Sequence, residues 1–348
     1  MSNREETRRI QFTGKSSYIV SLPKQWVNEL GLKQGDQITI SREGRSSLKI
    51  TPAKEQTKSS QGEEAILEIS REDDNAAIVR RLVSLYFLGY KIIQIKPKSD
   101  RLQPGQRNAI KSAVKGMLMG GEIISDSIDG ITIQVLVNLL ELTVDGAFKR
   151  MLHLAKSMLH DALLAVKETN LELAKEVIDS DDEVDRFGFY IIRQLKIAIQ
   201  NEYMLQEMGF VNARQCLGYR LVVKNIERTG DHAVLIAKDL LEFKESVRKD
   251  AMEKIEDLNE FAINVLDQAC LALFKEDFAQ AEKAIEKASE LHKYEKKIIE
   301  STKAIKDEEE AYRIRRMTEN ITRIAEYASD IAEIVLNMNV EKLLKKRQ

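Results

Sequence analysis

Only four prolines and two cysteines occur in this chain of 348 residues, and aromatic side chains make up 6% of it. Sparse proline leaves long helices unbroken. Cys216 and Cys270 stand far apart, with no CxxC or histidine-rich spacing around them. That pattern excludes a disulfide or zinc framework and leads us to expect a reducing, cytoplasmic setting. The longest apolar stretch, ITIQVLVNLLELTV from Ile131, is interrupted by Gln134, Asn138 and Glu141. It is therefore not the run of about 20 apolar residues that a membrane-spanning helix requires. The polar, charged opening is expected to carry no signal peptide. Neither a GxGxxG nor a GxxxxGK[ST] loop is present, and no nucleophile elbow or nucleophile–base arrangement is found, so the chain is not expected to be an enzyme.

What is present is charge and apolar periodicity. Charged residues at 32% beside hydrophobic residues at 43% describe solvated helices over a real core. The length allows two or three domains. A net charge of −2 conceals a gradient: residues 1–50 hold nine basic and five acidic side chains, a +4 head on a −6 remainder. A basic head on an acidic body suggests two kinds of partner.

Residues 1–52 read as a small β-rich unit. IQFTGKSSYIVSLP alternates and stops at Pro23, PKQWVNELGL forms a short helix, and QITIS and SLKIT pair across EGRSS. A unit this small holds little core by itself, so dimerisation is expected. The combination of Leu22–Trp26, Leu30–Leu32 and Gly35–Asp36 ahead of a hairpin resembles the AbrB/SpoVT family of DNA-binding domains over about residues 7–52. The resemblance implies a swapped-hairpin dimer that contacts DNA. It places Arg8, Arg9, Lys15 and Lys24 on the nucleic acid, with Ser16 and Ser17 as phosphate donors. A plain dimerisation module with ordinary surface lysines would explain the same residues.

Residues 53–63, AKEQTKSSQGE, are polar and aperiodic and read as a linker. Residues 64–138 alternate strand and helix: EAILEIS, NAAIVRRLVSLYFLGY, KIIQIKPK, QRNAIKSAVKGML, then a hairpin in GGEIISDSIDGITIQVLV. A small α/β sandwich follows, of unassigned role.

Residues 139–340 are helical nearly throughout, with amphipathic runs at about 140–168, 170–206, 210–245, 250–276, 277–304 and 307–339. An internal echo divides them. NIERTGDHAVLIA from Asn225 realigns with NITRIAEYASDIA from Asn320, and LELAKEVIDSDDEVDRF from Leu171 loosely matches FAQAEKAIEKASELHKY from Phe278. The all-α body is therefore expected to be two three-helix repeats, 139–245 and 246–340.

Two carboxylate pairs stand out. Glu227 and Asp231 leave one face of their helix beside the apolar stripe Val223, Ile226, Gly230, Val234, Ala237 and Leu241. Asp181 and Asp185 share a narrow face with Ala174, Ile178, Ile192 and Ile199. Carboxylates on an apolar face require a positive partner. A hard metal ion would serve, and so would Arg186 or Arg228.

The repeated three-helix pattern, with DDEVD in one helix and NIERTGDHAVLIA in the next, resembles the PhoU family of phosphate-uptake regulators over about residues 140–340. The resemblance implies a multinuclear metal site on the bundle surface. Asp181, Asp185, Glu227 and Asp231 are its ligands, and Fe, Zn, Mn, Ni or Mg its occupant. It also implies partners such as a phosphate-transporter ATPase or a sensor kinase. The second repeat departs from the pattern. Ala288 and His292 replace the first pair and Thr322 and Glu326 the second, with Glu326 and Asp330 forming a pair one turn displaced. His232 is expected to pack or hydrogen-bond rather than ligate, and His153 and His160 to lie on the bundle face. The combined expectation is a cytoplasmic, dimeric, DNA-binding regulator of phosphate homeostasis. The alternative is an adaptor with the same body and no DNA binding. A carboxylate-bridged metalloenzyme would want Glu-x-x-His near the pairs, and none is there.

Overall fold

The computed structural model describes residues 6–14, 17–43, 47–52, 64–99, 101–200, 202–303 and 305–340. Its chain forms two compact units, residues 1–62 and 63–348. In the first, β1 (Gln11–Thr13) pairs antiparallel with β2 (Ser17–Ile19). Phe12 sits opposite Tyr18 in that ladder, with the rings 5.1 Å apart. Pro23 opens α1 (Lys24–Glu29), where its missing N–H costs nothing. The helix closes at Gly31, whose φ of +62° suits glycine. Strands β3 (Ile38–Glu43) and β4 (Ser47–Pro52) make a second antiparallel hairpin. Ile10, Phe12, Tyr18, Ile40 and Leu48 are all more than half exposed. Among its described residues the head supplies no apolar interior for them.

The second unit begins with a four-stranded sheet in the order β5-β6-β8-β7. Strand β5 (Glu64–Ile69) leads through α2 (Asn75–Phe87) to its parallel neighbour β6 (Ile92–Pro97). The chain then runs through α3 (Pro104–Met117) to the hairpin of β7 (Gly121–Ser127) and β8 (Gly130–Val135). The strands alternate, so Ile69, Ile93, Ile95, Ile131 and Ile133 are buried against Ile78, Leu82, Tyr86 and Ile110 of the helices. Asp74 caps α2 by accepting from Ala77 N. Gly130, at φ +136°, lies where a Cβ would come within 2.1 Å of the Ile95 carbonyl. Only glycine lets β8 approach β6 there.

The remainder is helical: α4 (Val144–Glu168), α5 (Leu171–Ala198), α6 (Glu202–Glu207), α7 (Ala213–Phe243), α8 (Lys249–Lys275), α9 (Phe278–Ala288), α10 (Leu291–Thr302) and α11 (Glu308–Asn339). Helices α4, α5 and α7 form one three-helix group, and α8, α9–α10 and α11 the other. Helix α7 packs against α11 in antiparallel register. Gly218 meets Met338, His232 meets Asn320 and Tyr327, and Asp239 meets Arg316.

Two of the expected helical runs break. The run 170–206 ends at Ala198 and resumes as α6. The run 277–304 divides at Ser289 and Glu290. There the Ser289 hydroxyl donates to the Glu286 carbonyl, and His292 Nδ1 lies 2.8 Å from the Ser289 carbonyl. Both side chains compete with the helix's own ladder at that turn.

The sheet unit is held to the bundle through α5. Arg193, 3% exposed, donates to the carbonyls of Tyr86, Gly89 and Tyr90 at the C-terminal end of α2 and stacks on the Tyr86 ring. Gln194 donates to the carbonyls of Leu139 and Leu142, and the Tyr190 hydroxyl to that of Leu142. Phe87 meets Phe189 edge-on at 5.3 Å.

Candidate functional site

Helix α5 runs unbroken past Asp181 and Asp185 because its apolar positions recur at helical spacing: Ala174, Val177, Val184, Ile191 and Leu195 are buried. Helix α7 contributes Val223, Ile226, Gly230, Val234 and Ala237 to the same core, with Leu241 at its margin. The two helices approach closely at Gly230. A Cβ there would lie 3.4 Å from Asp181 Oδ1 and 3.5 Å from Val184 Cγ1. A longer side chain would push the helices apart and lift Asp181 off its seat. So a small residue on one helix seats a carboxylate of the other.

The four carboxylates form one electrostatic cluster. Burial, then the charges of Asp231, Asp182 and Glu227, push Asp181 up to about 6. Burial, then Glu227, Asp181 and Asp231, push Asp185 up to about 7. Asp181 Oδ1 is buried with no hydrogen-bond partner. Each carboxylate raises the cost of ionising its neighbours, and Asp181 has an oxygen that nothing satisfies. Asp182 and Glu183 are exposed, and Asp231 is exposed at the rim.

Positive charge reaches the cluster from α7 itself. Lys224 Nζ donates to Glu227 Oε1 at 2.5 Å. Lys224 also opposes the upward shift of Asp185, and Lys238 that of Asp181. Neither arginine considered from the sequence takes that role. Arg186 pairs with Glu183 at 3.6 Å, and Arg228 lies over the Tyr327 ring at 5.5 Å. Among the described residues, no group of three or more His, Cys, Asp or Glu side chains closes into a metal-holding arrangement. The carboxylates share a face without gripping a common point.

The corresponding face of the second group keeps only part of the pattern, and there burial, then Glu333 and Glu326, push the Asp330 carboxyl up. The Thr322 hydroxyl donates to Glu295, and Arg323 pairs with Glu326 at 2.8 Å. The break between α9 and α10 falls where the first group carries its Asp181 turn. His232 hydrogen-bonds across the α7–α11 contact, with Nδ1 2.8 Å from Asn320 Oδ1 and Nε2 3.2 Å from the Tyr327 hydroxyl. His153 and His160 lie exposed rather than in the bundle interior, and so does Ile199.

Three buried charged groups escaped the sequence reading. Asp239, on α7, is 6% exposed and takes Arg316 Nη2 from α11 at 2.6 Å. Burial outweighs that arginine and pushes Asp239 to about 6. Arg193 is the second, and Arg313 of α11, which donates to the Glu245 and Ser246 carbonyls, the third. All three lie on helices rich in charge, where spacing does not reveal which charge turns inward.

Of the residues expected on DNA, Arg8, Arg9, Ser17 and Lys24 are exposed on the head. Arg8 is ion-paired with Glu6. Lys15 and Ser16 lie outside the described residues, as does the whole of the expected linker, residues 53–63. No helix among the described residues is long and apolar enough to cross a membrane.

Comparison with known proteins matches these parts separately. The model of the MazE family, described as antidote-toxin recognition and bacterial antitoxin, matches residues 11–58. A curated relative, the phosphate-specific transport system accessory protein PhoU homolog of Aquifex aeolicus, is 28% identical over 148 residues. That match takes in 42% of this chain and 65% of the relative's length. The crystal structure of PhoU from Pseudomonas aeruginosa superposes with a TM-score of 0.50 at 17% identity, over 57% of this chain and 96% of that one, which shows a shared fold. The phosphate transport system regulatory protein PhoU from Streptococcus pneumoniae gives 0.49 at 19% identity, over 60% and 100%. The PhoU domain model matches residues 148–240 and 255–335, together half of the chain and one stretch in each three-helix group. With an AbrB/MazE-like head in front of that repeated helical body, the chain belongs to the PhoU family.

Proposed function

We propose that this chain regulates phosphate uptake and homeostasis, binding DNA through a dimeric head while its body senses or relays phosphate status. The observation that carries this reading is the joining of a MazE-matching head to a PhoU-matching body in one polypeptide. A body alone would suit an adaptor. A head built from two hairpins with exposed Phe12, Tyr18, Ile40 and Leu48 has an apolar surface for a second copy, and exposed Arg9 and Lys24 for phosphates. The activity is regulatory, in the cytoplasm, and needs no catalytic group.

A metal ion belongs to this reading. The donor chemistry of the cluster fits one: four carboxylates on one face, two of them resisting ionisation and one with a buried, unsatisfied oxygen. Asp181, Asp185, Glu227 and Asp231 would hold it, and Fe, Zn, Mn, Ni or Mg all accept such oxygens. A bound cation would supply the positive charge that lets all four ionise together.

The second reading is an adaptor that meets a phosphate-transporter ATPase or a sensor kinase without touching DNA. It is favoured by the modest +4 charge of residues 1–50 and by the pairing of Arg8 with Glu6. Fluorescence anisotropy with labelled duplexes separates the two. Regulation through DNA predicts binding that weakens steeply between about 50 and 200 mM salt, and that weakens further in Arg9→Ala and Lys24→Ala. No binding at the lowest salt would leave the adaptor.

A further inference from the structure

We infer that Lys224 is the built-in counter-ion of the carboxylate cluster, holding Glu227 in the metal-free protein until an incoming cation displaces it. This rests on the metal-binding reading above.

Three observations carry it. First, Lys224 Nζ is within 2.5 Å of Glu227 Oε1, one turn away on the same helix, with Glu227 only 19% and Lys224 39% exposed. The carboxylate end of the pair is the more shielded from solvent screening. Second, the two arginines next to the motif carboxylates lie against other groups, Arg186 3.6 Å from Glu183 and Arg228 over the Tyr327 ring. Third, the chain carries its own comparison. Aligning the two repeats sets Lys224 and Lys238 against Glu319 and Glu333, while Glu227 is set against Thr322. Lysine occurs at both flanking positions in the repeat that has the carboxylates. Glutamate replaces it in the repeat that keeps only Glu326 of the four motif carboxylates. Ordinary solvated lysines would not be expected to reverse sign together with the cluster.

A tethered ammonium and a free cation cannot both neutralise Glu227, so Lys224 sets the affinity of the site. The test compares the full-length wild type with Lys224→Met and Lys224→Arg, each stripped with chelator and titrated with Mn²⁺ by calorimetry. Lys224→Met is expected to bind Mn²⁺ about tenfold more tightly than the wild type, and Lys224→Arg to stay near it. Equal affinity of Lys224→Met and the wild type would overturn the inference and leave the metal reading intact. Absence of Mn²⁺ binding in all three would instead remove the metal reading and, with it, displacement. The chelated proteins test the counter-ion separately, through melting temperatures in a double-mutant cycle with Glu227→Gln. Lys224→Met should lower the melting temperature in the wild-type background and leave it unchanged once Glu227 is neutral. Equal losses in both backgrounds would show that Lys224 acts elsewhere.

Discussion

Asp185 stands at the centre of the account at the level of single residues, because its ionisation sets the terms for its neighbours. Unpaired in an unfolded chain, Asp181 and Asp185 titrate near 3.8; folded, they titrate near 6 and 7. The folded state therefore holds their protons more tightly. Their contribution to stability is complete below about pH 4 and is lost as the pH rises through those folded values. Asp239, at about 6, adds in the same sense. The metal-free protein is expected to lose stability between about pH 4 and pH 7, and Asp185→Asn to flatten that slope. At the upper end the variant should gain roughly 2 kcal/mol, read by urea denaturation in chelator. An unchanged slope would place Asp185 in solvent. Much of this was readable from the sequence. The i, i+4 spacing on an apolar face marked both carboxylate pairs, and the rule that a buried charge needs a partner asked the right question. It did not identify Lys224, because both an arginine and a lysine lie one turn from a carboxylate and only side-chain placement chooses between them.

At the level of elements, α5 does two jobs along one axis. Its first half seats Asp181 and Asp185 against α7, and its second half holds the sheet unit through Arg193, Gln194 and Phe189. Arg193 satisfies three carbonyls at the end of α2, where a helix leaves its last acceptors open. Replacing it with leucine strands those carbonyls in a buried contact and should cost about 2–4 kcal/mol. Chemical denaturation of Arg193→Leu checks this, and a cost under about 0.5 kcal/mol would show that the contact is dispensable. The helices themselves followed from apolar periodicity, and so did the alternating strands of β5, β6 and β8. The breaks did not. Ser289 and His292 look like ordinary helix residues in sequence, and their bonds to the Glu286 and Ser289 carbonyls exist only once the turn has formed. The sheet order also lay beyond periodicity, since it depends on Gly130 letting β8 slip between β6 and β7.

For the whole molecule, the two helical groups share a plan and differ in charge. The first presents four motif carboxylates, and the second presents Thr322–Glu295, Arg323–Glu326 and a displaced Asp330 at the corresponding face. Helices α7 and α11 hold the groups together through residues of equivalent position. His232 contacts Tyr327, its counterpart in the aligned repeat, and Asp239 and Arg316 close the same seam nearer the end of α7. The internal echo was visible in sequence because its motif repeats almost residue for residue. The asymmetry was visible too, as substitutions at the motif positions. A chain with this plan carries, in its first helical group, the carboxylate cluster for which we propose a cation.

The most direct test of that claim is elemental analysis of the natively purified protein beside a variant carrying Asp181→Asn, Asp185→Asn, Glu227→Gln and Asp231→Asn. The account predicts bound Fe, Zn, Mn, Ni or Mg in the parent and its loss in a variant that remains folded and melts cooperatively. A parent without metal, or a variant that retains it, would contradict the account.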